Sequence, residues 1–364
     1  MSECKWKVAI VGATGMVGQR FISLLDDHPW FEIAALAASP RSAGQPYEDA
    51  VCGRWAFSWP IPAAVKTMTV LDASNVSEVT RNVDFVFCAV DMPKDQIRAL
   101  EERYAQAETP VISNNSANRN TPDVPMIIPE LNPEHAQVIQ AQKKRLGTHT
   151  GFIAVKPNCS IQSYVPALTA LRHLEPEQVI VSTYQAISGA GKTFERWPEM
   201  VDNVIPFISG EEEKSEQEPH KIWGTPQNGV IVPSTSPLIS AHCIRVAASD
   251  GHLASCWVKF KKKATAEEII AAWRRFEGEP QHLRLPSAPT PFMQYFDEDN
   301  RPQTRLDRNF GHGMGISLGR LRQDTLFDWR FVGLSHNTLR GAAGGAVLIA
   351  ELLCAKGYIP KKSI

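Results

Sequence analysis

The sequence predicts an α/β protein in two parts. One is a doubly wound parallel sheet built from residues 1–157 and closed by the tail 337–364; the other is an α+β unit over 158–336. Three observations carry this. A buried-type strand, Lys7–Val11, runs straight into the glycine loop Gly12-Ala13-Thr14-Gly15-Met16-Val17-Gly18 and then into apolar residues at helical spacing from Gln19 to Leu25. Short apolar runs then alternate with helical ones as far as Val155, the pattern of strands joined by crossover helices. Last, a small-residue stretch, Gly341-Ala342-Ala343-Gly344-Gly345, opens a final apolar helix over Ala346–Cys354, which is expected to pack back on the first part and make it discontinuous.

Composition sets the outer bounds. At 364 residues, with 43% hydrophobic and 21% charged residues, the chain can bury two sizeable cores. A formal net charge of −1 gives no electrostatic reason to expect nucleic acid or an anionic membrane as partner. No apolar run reaches membrane-spanning length and the N-terminus carries no signal-peptide pattern, so a cytoplasmic location is expected. Seven cysteines (Cys4, Cys52, Cys88, Cys159, Cys243, Cys256, Cys354) form no C-x-x-C pair, so neither a disulfide framework nor a metal site is expected.

Taken in order, the glycine loop has the spacing G-x-x-G-x-x-G between a strand and a helix, the setting in which backbone N–H groups meet a dinucleotide pyrophosphate. The second strand, Phe31–Ala38, ends in Ser39-Pro40-Arg41-Ser42 with no acid at its tip. A carboxylate there would bind the free ribose hydroxyls of NAD. Arginine beside small hydroxyls accommodates the 2′-phosphate of NADP, so NADP is the expected cofactor. Asp84–Val90 reads as a strand, Pro93–Ala105 as a helix, and Asn114-Asn115-Ser116-Ala117-Asn118-Arg119 as a polar turn able to cradle an anion.

Pro157-Asn158-Cys159-Ser160 is the pivot of the chain. The run Ile161–Leu174 has helical spacing, so Cys159 is expected at a helix N-terminus, where the helix dipole lowers a thiol pKa. The bland alternative is one more small buried hydrophobe. Beyond it, Val179–Ala186 reads as a strand leading to the turn Ile187–Gly191. Gly210-Glu211-Glu212-Glu213-Lys214 would put Glu211 and Lys214 on one helical face. His242–Ala247 and Ala254–Phe260 read as antiparallel strands joined at a turn, with Arg245 and His252 near it. Pro286–Arg305 reads as a long loop, and Met314–Arg320 and Phe327–Val332 as further strands.

Read together, GATGMVGQRF, LAASPRSAG, NNSANR, DVPMIIPELN, PNCS, QAISGAG, NVIPFISGEEEK, RVAASDGH, RPQTRLDRN and HNTLRGAAGG resemble, in this order, the aspartate-β-semialdehyde dehydrogenases of the archaeal and fungal branch. The resemblance implies a Rossmann-type NADP domain, a glyceraldehyde-3-phosphate-dehydrogenase-like catalytic and dimerisation domain, and a homodimer or homotetramer. It implies that NADPH reduces L-aspartyl-β-phosphate through a thioacyl enzyme on Cys159, with His252 as acid/base and Gln185 orienting substrate. It further implies Arg245 on the substrate α-carboxylate, Glu211 facing its amine, and Arg119 and Lys214 on the phosphoryl group. Cofactor contacts are implied for Gly12, Thr14, Gly15, Met16, Val17, Ser39, Arg41, Ser42, Gly189 and Asn337.

Two stretches depart from the family pattern, Lys192-Thr193-Phe194 after Gly191 and Cys88-Ala89-Val90. The rival readings are a malonyl-CoA reductase of the same architecture, against which Glu211 weighs because malonate has no amine, and a non-catalytic NADP sensor. The joint presence of Cys159, His252, Arg245 and Gln185 weighs against the sensor.

Overall fold

The structure is a computed structural model describing residues 5–362; Cys4 and the chain ends lie outside the described residues. Six strands, β1 (Trp6–Val11), β2 (Phe31–Ala38), β3 (Val70–Asp72), β4 (Phe85–Cys88), β5 (Val111–Ser113) and β6 (Ile153–Val155), form one parallel sheet in the order β3-β2-β1-β4-β5-β6. Chain direction across the sheet reverses between β1 and β4, which opens a crevice at the carboxyl ends of those strands. Successive residues of β1 serve opposite faces. Val8 and Ile10 pack with Phe21, Ile22 and Leu25 of α1 (Met16–Leu25), whereas Ala9 and Val11 pack with Leu100 and Tyr104 of α2 (Lys94–Gln106). Helices therefore cover both faces, and the strands are apolar on both sides as such burial requires.

The second part is built on a mixed sheet. Its strands are β7 (Pro176–Gln185), β8 (Val204–Ile205), β11 (Leu238–Val246), β12 (His252–Phe260), β13 (Met293–Phe296), β14 (Ile316–Gln323) and β15 (Trp329–Ser335), in the order β13-β14-β15-β12-β7-β11-β8. A small ribbon of β9 (Thr225–Gln227) and β10 (Val230–Val232) stands apart.

Three expectations are corrected. β11 and β12 are not a hairpin: β7 lies between them, parallel to β11 and antiparallel to β12. The connecting turn wraps the end of β7, with Ile187 N–H bonding Ala248 O and Ser188 N–H bonding Ser249 O. The stretch 286–305 is no plain loop, because Met293–Phe296 pairs with β14. The helix expected over 161–174 is broken into a 3-10 turn (Ser160–Ser163), a helix of six residues (Val165–Ala170) and a second 3-10 turn. Pro166 explains the break: it has no N–H for the carbonyl one turn back, and it sits instead in the first turn of the short helix.

A longer helix, α3 (Glu211–Ile222), contains Pro219, which leaves the carbonyl of Ser215 without its helical donor. The buried Tyr164 hydroxyl fills that vacancy, donating to Ser215 O at 2.8 Å, so α3 is tied to the segment following Cys159.

The C-terminal helix Ala343–Ala355 is buried along almost its whole length and packs on α1 and β5. Just before it, Arg340, 1% exposed, makes a two-pronged pair with buried Glu130, Nη1 to Oε1 at 2.8 Å and Nη2 to Oε2, under the ring of Phe292. Removing one member of such a pair strands the other charge in the core. Glu130→Ala is therefore expected to cost roughly 3–5 kcal/mol, read as a fall in the denaturant midpoint at unchanged slope. A loss below about 1 kcal/mol would mean that Arg340 finds another partner.

Candidate active site

Two cavities meet at the switch point. The first, about 570 Å³, is bounded by Gly12, Thr14 and Gly15 of the glycine loop, by Ser39, Pro40 and Arg41 at the tip of β2, and by Asp72 and Arg103. The second, about 560 Å³, is bounded by Met16 and Val17 at the start of α1, by Asn114–Ser116 and Arg119, and by Cys159, Gly189, Lys214 and Asn337. Both share Val90, Asp91 and Met92, so they run end to end.

The glycine loop is fixed before any ligand arrives. Gly12 has φ +94°, and a Cβ there would stand 2.3 Å from Ala89 O, so no other residue fits. Gln19 donates to Thr14 O at 3.0 Å and Tyr47 OH to Ala13 O at 2.9 Å. Of the ten residues expected around a cofactor, nine line the two cavities. Ser42 does not; it is buried behind the β2 turn with its N–H on Ser39 O.

Cys159 is partly exposed on the floor of the second cavity. Its Sγ lies 3.4 Å from Nε2 of the buried His252, which opens β12. The Ala186 N–H points at His252 Nδ1 at 3.1 Å, so Nδ1 accepts and the proton of the neutral ring belongs on Nε2, facing the sulfur. Burial, aided by Arg245, drives the His252 pKa down to about 3. Gly189 roofs this pair so closely that a Cβ would come within 2.9 Å of Arg245 Nη1 and 3.0 Å of His252 Cε1.

The thiol does not behave as a helix N-terminus would make it. Burial pushes the Cys159 pKa up, and Glu211 adds to this, against the pull of Lys156, Arg119 and Arg245. Only a four-residue 3-10 turn follows Cys159, too short for an appreciable dipole.

Register brings the other side chains in. Arg245 on β11 is the partner of Gln185 on β7, and its guanidinium donates to Ala186 O at 2.7 Å. Gln185 Nε2 donates to Glu211 Oε2 at 3.2 Å. Glu211 also accepts from Lys214 Nζ at 2.8 Å and from Asn158 Nδ2 at 3.0 Å, so the expected shared face of Glu211 and Lys214 is real. Burial pushes the Glu211 carboxyl up, yet these donors outweigh it and hold the pKa below its ordinary value. Arg119 is buried and paired with Glu218 at 2.9 Å, while its Nε donates to Lys156 O.

The chain is similar to known proteins over nearly its whole length. The family described as semialdehyde dehydrogenase, NAD binding domain, matches residues 7–139, and the one described as semialdehyde dehydrogenase, dimerisation domain, matches residues 167–340. An aspartate-semialdehyde dehydrogenase of Archaeoglobus fulgidus is 42% identical, with 98% of this chain and 100% of the relative covered. One from Aspergillus fumigatus is 40% identical over 98% of this chain and 99% of the relative. The chain belongs to the aspartate-semialdehyde dehydrogenase family. The fold agrees: the crystal structure of aspartate semialdehyde dehydrogenase with NADP from Candida albicans superposes with a TM-score of 0.87 at 36% identity, covering 98% of this chain and 100% of that one.

Several members of the candidate site escape a reading of the sequence alone. Glu218 accepts from Arg119 and, at 2.6 Å, from the N–H of Asn158, locking the Cys159 loop to α3. Its signal was available: Glu211, Lys214, Ser215 and Glu218 stand at i, i+3, i+4 and i+7, one polar stripe facing the site. Glu101, wholly buried, accepts from Ser113, Asn115 and Asn118 and so fixes the polar turn; its signal is its place at helical spacing between Ile97 and Tyr104, on the apolar face of α2. Arg54 and Arg103 join Arg41 around the first cavity. Among the described residues no group of three or more His, Cys, Asp or Glu could hold a metal ion.

Proposed function

We propose that the chain is an NADP-dependent aspartate-semialdehyde dehydrogenase that converts L-aspartyl-β-phosphate to L-aspartate-β-semialdehyde through a thioacyl intermediate on Cys159. The observation that carries this is the 3.4 Å approach of Cys159 Sγ to His252 Nε2, on the floor of a cleft continuous with the glycine loop. NADP fits the residues present. Gly12, Thr14 and Gly15 give the pyrophosphate open backbone, Met16 and Val17 begin a ten-residue helix, and the side-chain N and O of Asn114 are buried in the second cavity with no protein partner. The reduced cofactor, when bound, supplies the hydride. Gly189 and Asn337 would hold its far end, with Asn337 already braced between Ser188 Oγ and Gly251 N–H, both at 2.8 Å.

The protein's own part is positioning and charge. The Cys159 thiolate attacks the acyl carbon and phosphate leaves, with Lys214 and Arg119 as its cations. Arg245 grips the α-carboxylate as a fork, Glu211 meets the amine, and Gln185 orients the substrate beside the sulfur. His252 carries its Nε2 proton toward the oxygen of the tetrahedral centre, which then collapses and returns the thiolate. The domains divide at 1–157 with 337–364 and at 158–336. Ile180, Val204 and Leu238, exposed on the second sheet, support a homodimer or homotetramer built there. Among the described residues no helix is long and apolar enough to cross a membrane. A cytoplasmic enzyme feeding lysine and diaminopimelate, threonine, methionine and isoleucine synthesis follows from this reading.

The deciding assay is NADP reduction with aspartate semialdehyde plus phosphate, run beside NADPH oxidation with malonyl-CoA. Turnover in the first and none in the second is expected, because Glu211 has no amine to meet on malonate; the reverse result would overturn the assignment. Cofactor choice has its own test. Arg41→Ala is expected to weaken NADP about tenfold or more while leaving NAD nearly unchanged, as loss of a charge-assisted contact to one phosphate should. Equal losses for both dinucleotides, by fluorescence titration, would make Arg41 structural.

A further inference from the structure

The two cations assigned to the phosphoryl group come from different parts of the molecule. Lys214 stands on α3, and Arg119 ends the polar turn that follows β5; both line the second cavity. Arg119 commits three of its five N–H groups to protein acceptors: Nε to Lys156 O at 3.0 Å, Nη1 to Glu218 at 2.9 Å and Nη2 to Asn114 O at 3.2 Å. Two are left for an anion.

The main-chain end of Arg119 is held from the same helix. Lys221, one turn beyond Glu218 on α3 and 7% exposed, donates from Nζ to Arg119 O at 2.7 Å, Thr121 O at 2.7 Å and Val124 O at 2.9 Å. An ammonium has three N–H groups, so all of them are taken. Burial lowers the Lys221 pKa to about 8, with Asp123 and Glu218 opposing, so at pH 7 the third proton stays on. A lysine saturated in this way has no donor to offer a substrate. What it does is draw three carbonyls of the segment 119–124 to one point on α3. Buried carbonyls stranded without a donor are costly, so losing Lys221 forces that segment to shift, and Arg119 carries the first of the three.

We propose that Lys221 is a positioning residue for the reaction: it fixes the main chain of Arg119 against α3 and so sets how Arg119 and Lys214 together meet the phosphoryl group. Glu218 holds the guanidinium, Lys221 holds the backbone behind it, and Lys214 projects from the same helix two turns earlier. This rests on Arg119 being a phosphate cation, which Arg119→Lys tests separately. That variant keeps a charge beside Glu218 but loses the fork, so the KM for phosphate should rise. A phosphate KM that does not move there would sink the parent assignment whatever Lys221 does.

The measurement is initial-rate kinetics at pH 7 in the direction of semialdehyde oxidation, with phosphate, semialdehyde and NADP varied in turn. Circular dichroism and NADP binding monitor the fold. Lys221→Met keeps the length of the side chain and loses its donors. The phosphate KM is expected to rise about tenfold or more, as for a displaced binding group, with the KM for semialdehyde and for NADP within about twofold of wild type. A lower kcat at unchanged phosphate KM is what a purely structural lysine would give, and it overturns the proposal. An equal rise in all three KM values does the same. In the Arg119→Lys background a point charge on a flexible stem depends less on its main chain, so adding Lys221→Met should raise the phosphate KM by no more than about twofold. A further full rise there means that Lys221 acts elsewhere and overturns the proposal. If the Met variant does not fold, Lys221→Arg decides, because it keeps the buried cation while its planar fork cannot serve three carbonyls converging on one atom. A phosphate KM raised about threefold or more, with the other two unmoved, supports the proposal, and an unmoved phosphate KM overturns it.

Discussion

Replacing Cys159 by alanine is expected to bring turnover down to background while leaving NADP binding and the melting temperature close to wild type. The sulfur is the only group at the floor of the second cavity able to form a thioester, and without it there is no acyl enzyme to reduce. The fold should tolerate the change, because alanine keeps the Cβ and removes only the sulfur, and the loop is held by Asn158 and Ser160 and not by the thiol. Single-turnover mixing with the acyl phosphate should show no phosphate burst. A variant that keeps even a tenth of wild-type turnover would mean that another group carries the acyl chain.

The second large effect belongs to His252, and here the tautomer sharpens the expectation. With Nδ1 occupied by the Ala186 N–H, the ring acts from Nε2–H, so His252→Ala should lower kcat by roughly 10²–10⁴-fold with little change in KM. His252→Asn can keep an N–H donor near the same point and should recover part of that loss. Because burial and Arg245 hold the imidazole pKa near 3, the ring stays neutral from pH 5 to 9. The wild-type rate profile should therefore lack an imidazole limb near pH 6.5. A limb there that vanishes in both variants would mean that the histidine titrates as an ordinary acid/base. A KM effect alone would make it a substrate contact.

What the sequence made legible divides along a physical line. Glycine loops, buried strands and helix faces are local patterns, and so β1, β2, the glycine loop and the C-terminal helix could be read from the chain, the helices starting three residues earlier than periodicity alone put them. Strand neighbours are not local. Nothing within 242–260 says that β7 will enter between β11 and β12, since both are amphipathic enough to pair with either neighbour. The broken helix after Cys159 was legible in principle, because Pro166 lies in plain view: the apolar spacing points to one helix, the missing N–H to a break. In the site, Cys159 and His252 were readable as residues to bring together, but not their protonation, which depends on burial and, for His252, on one backbone N–H from Ala186. Lys156, buried beside the site, was hidden for the same reason: a lysine advertises a solvated surface until its neighbours are known.

The last helix carries one more consequence, for synthesis on the ribosome. Phe21, Ile22 and Leu25 on α1 share a core with Val347, Leu348 and Leu352, more than 300 residues later in the chain. The first sheet thus leaves the exit tunnel with the ground between α1 and β5 uncovered and keeps it so while the whole second part is translated, on the order of tens of seconds. During that interval the nascent chain offers a hydrophobic groove of helical width to any chaperone or stray apolar segment nearby. The Arg340–Glu130 clasp has to wait as well, because its two members stand 210 residues apart in the chain.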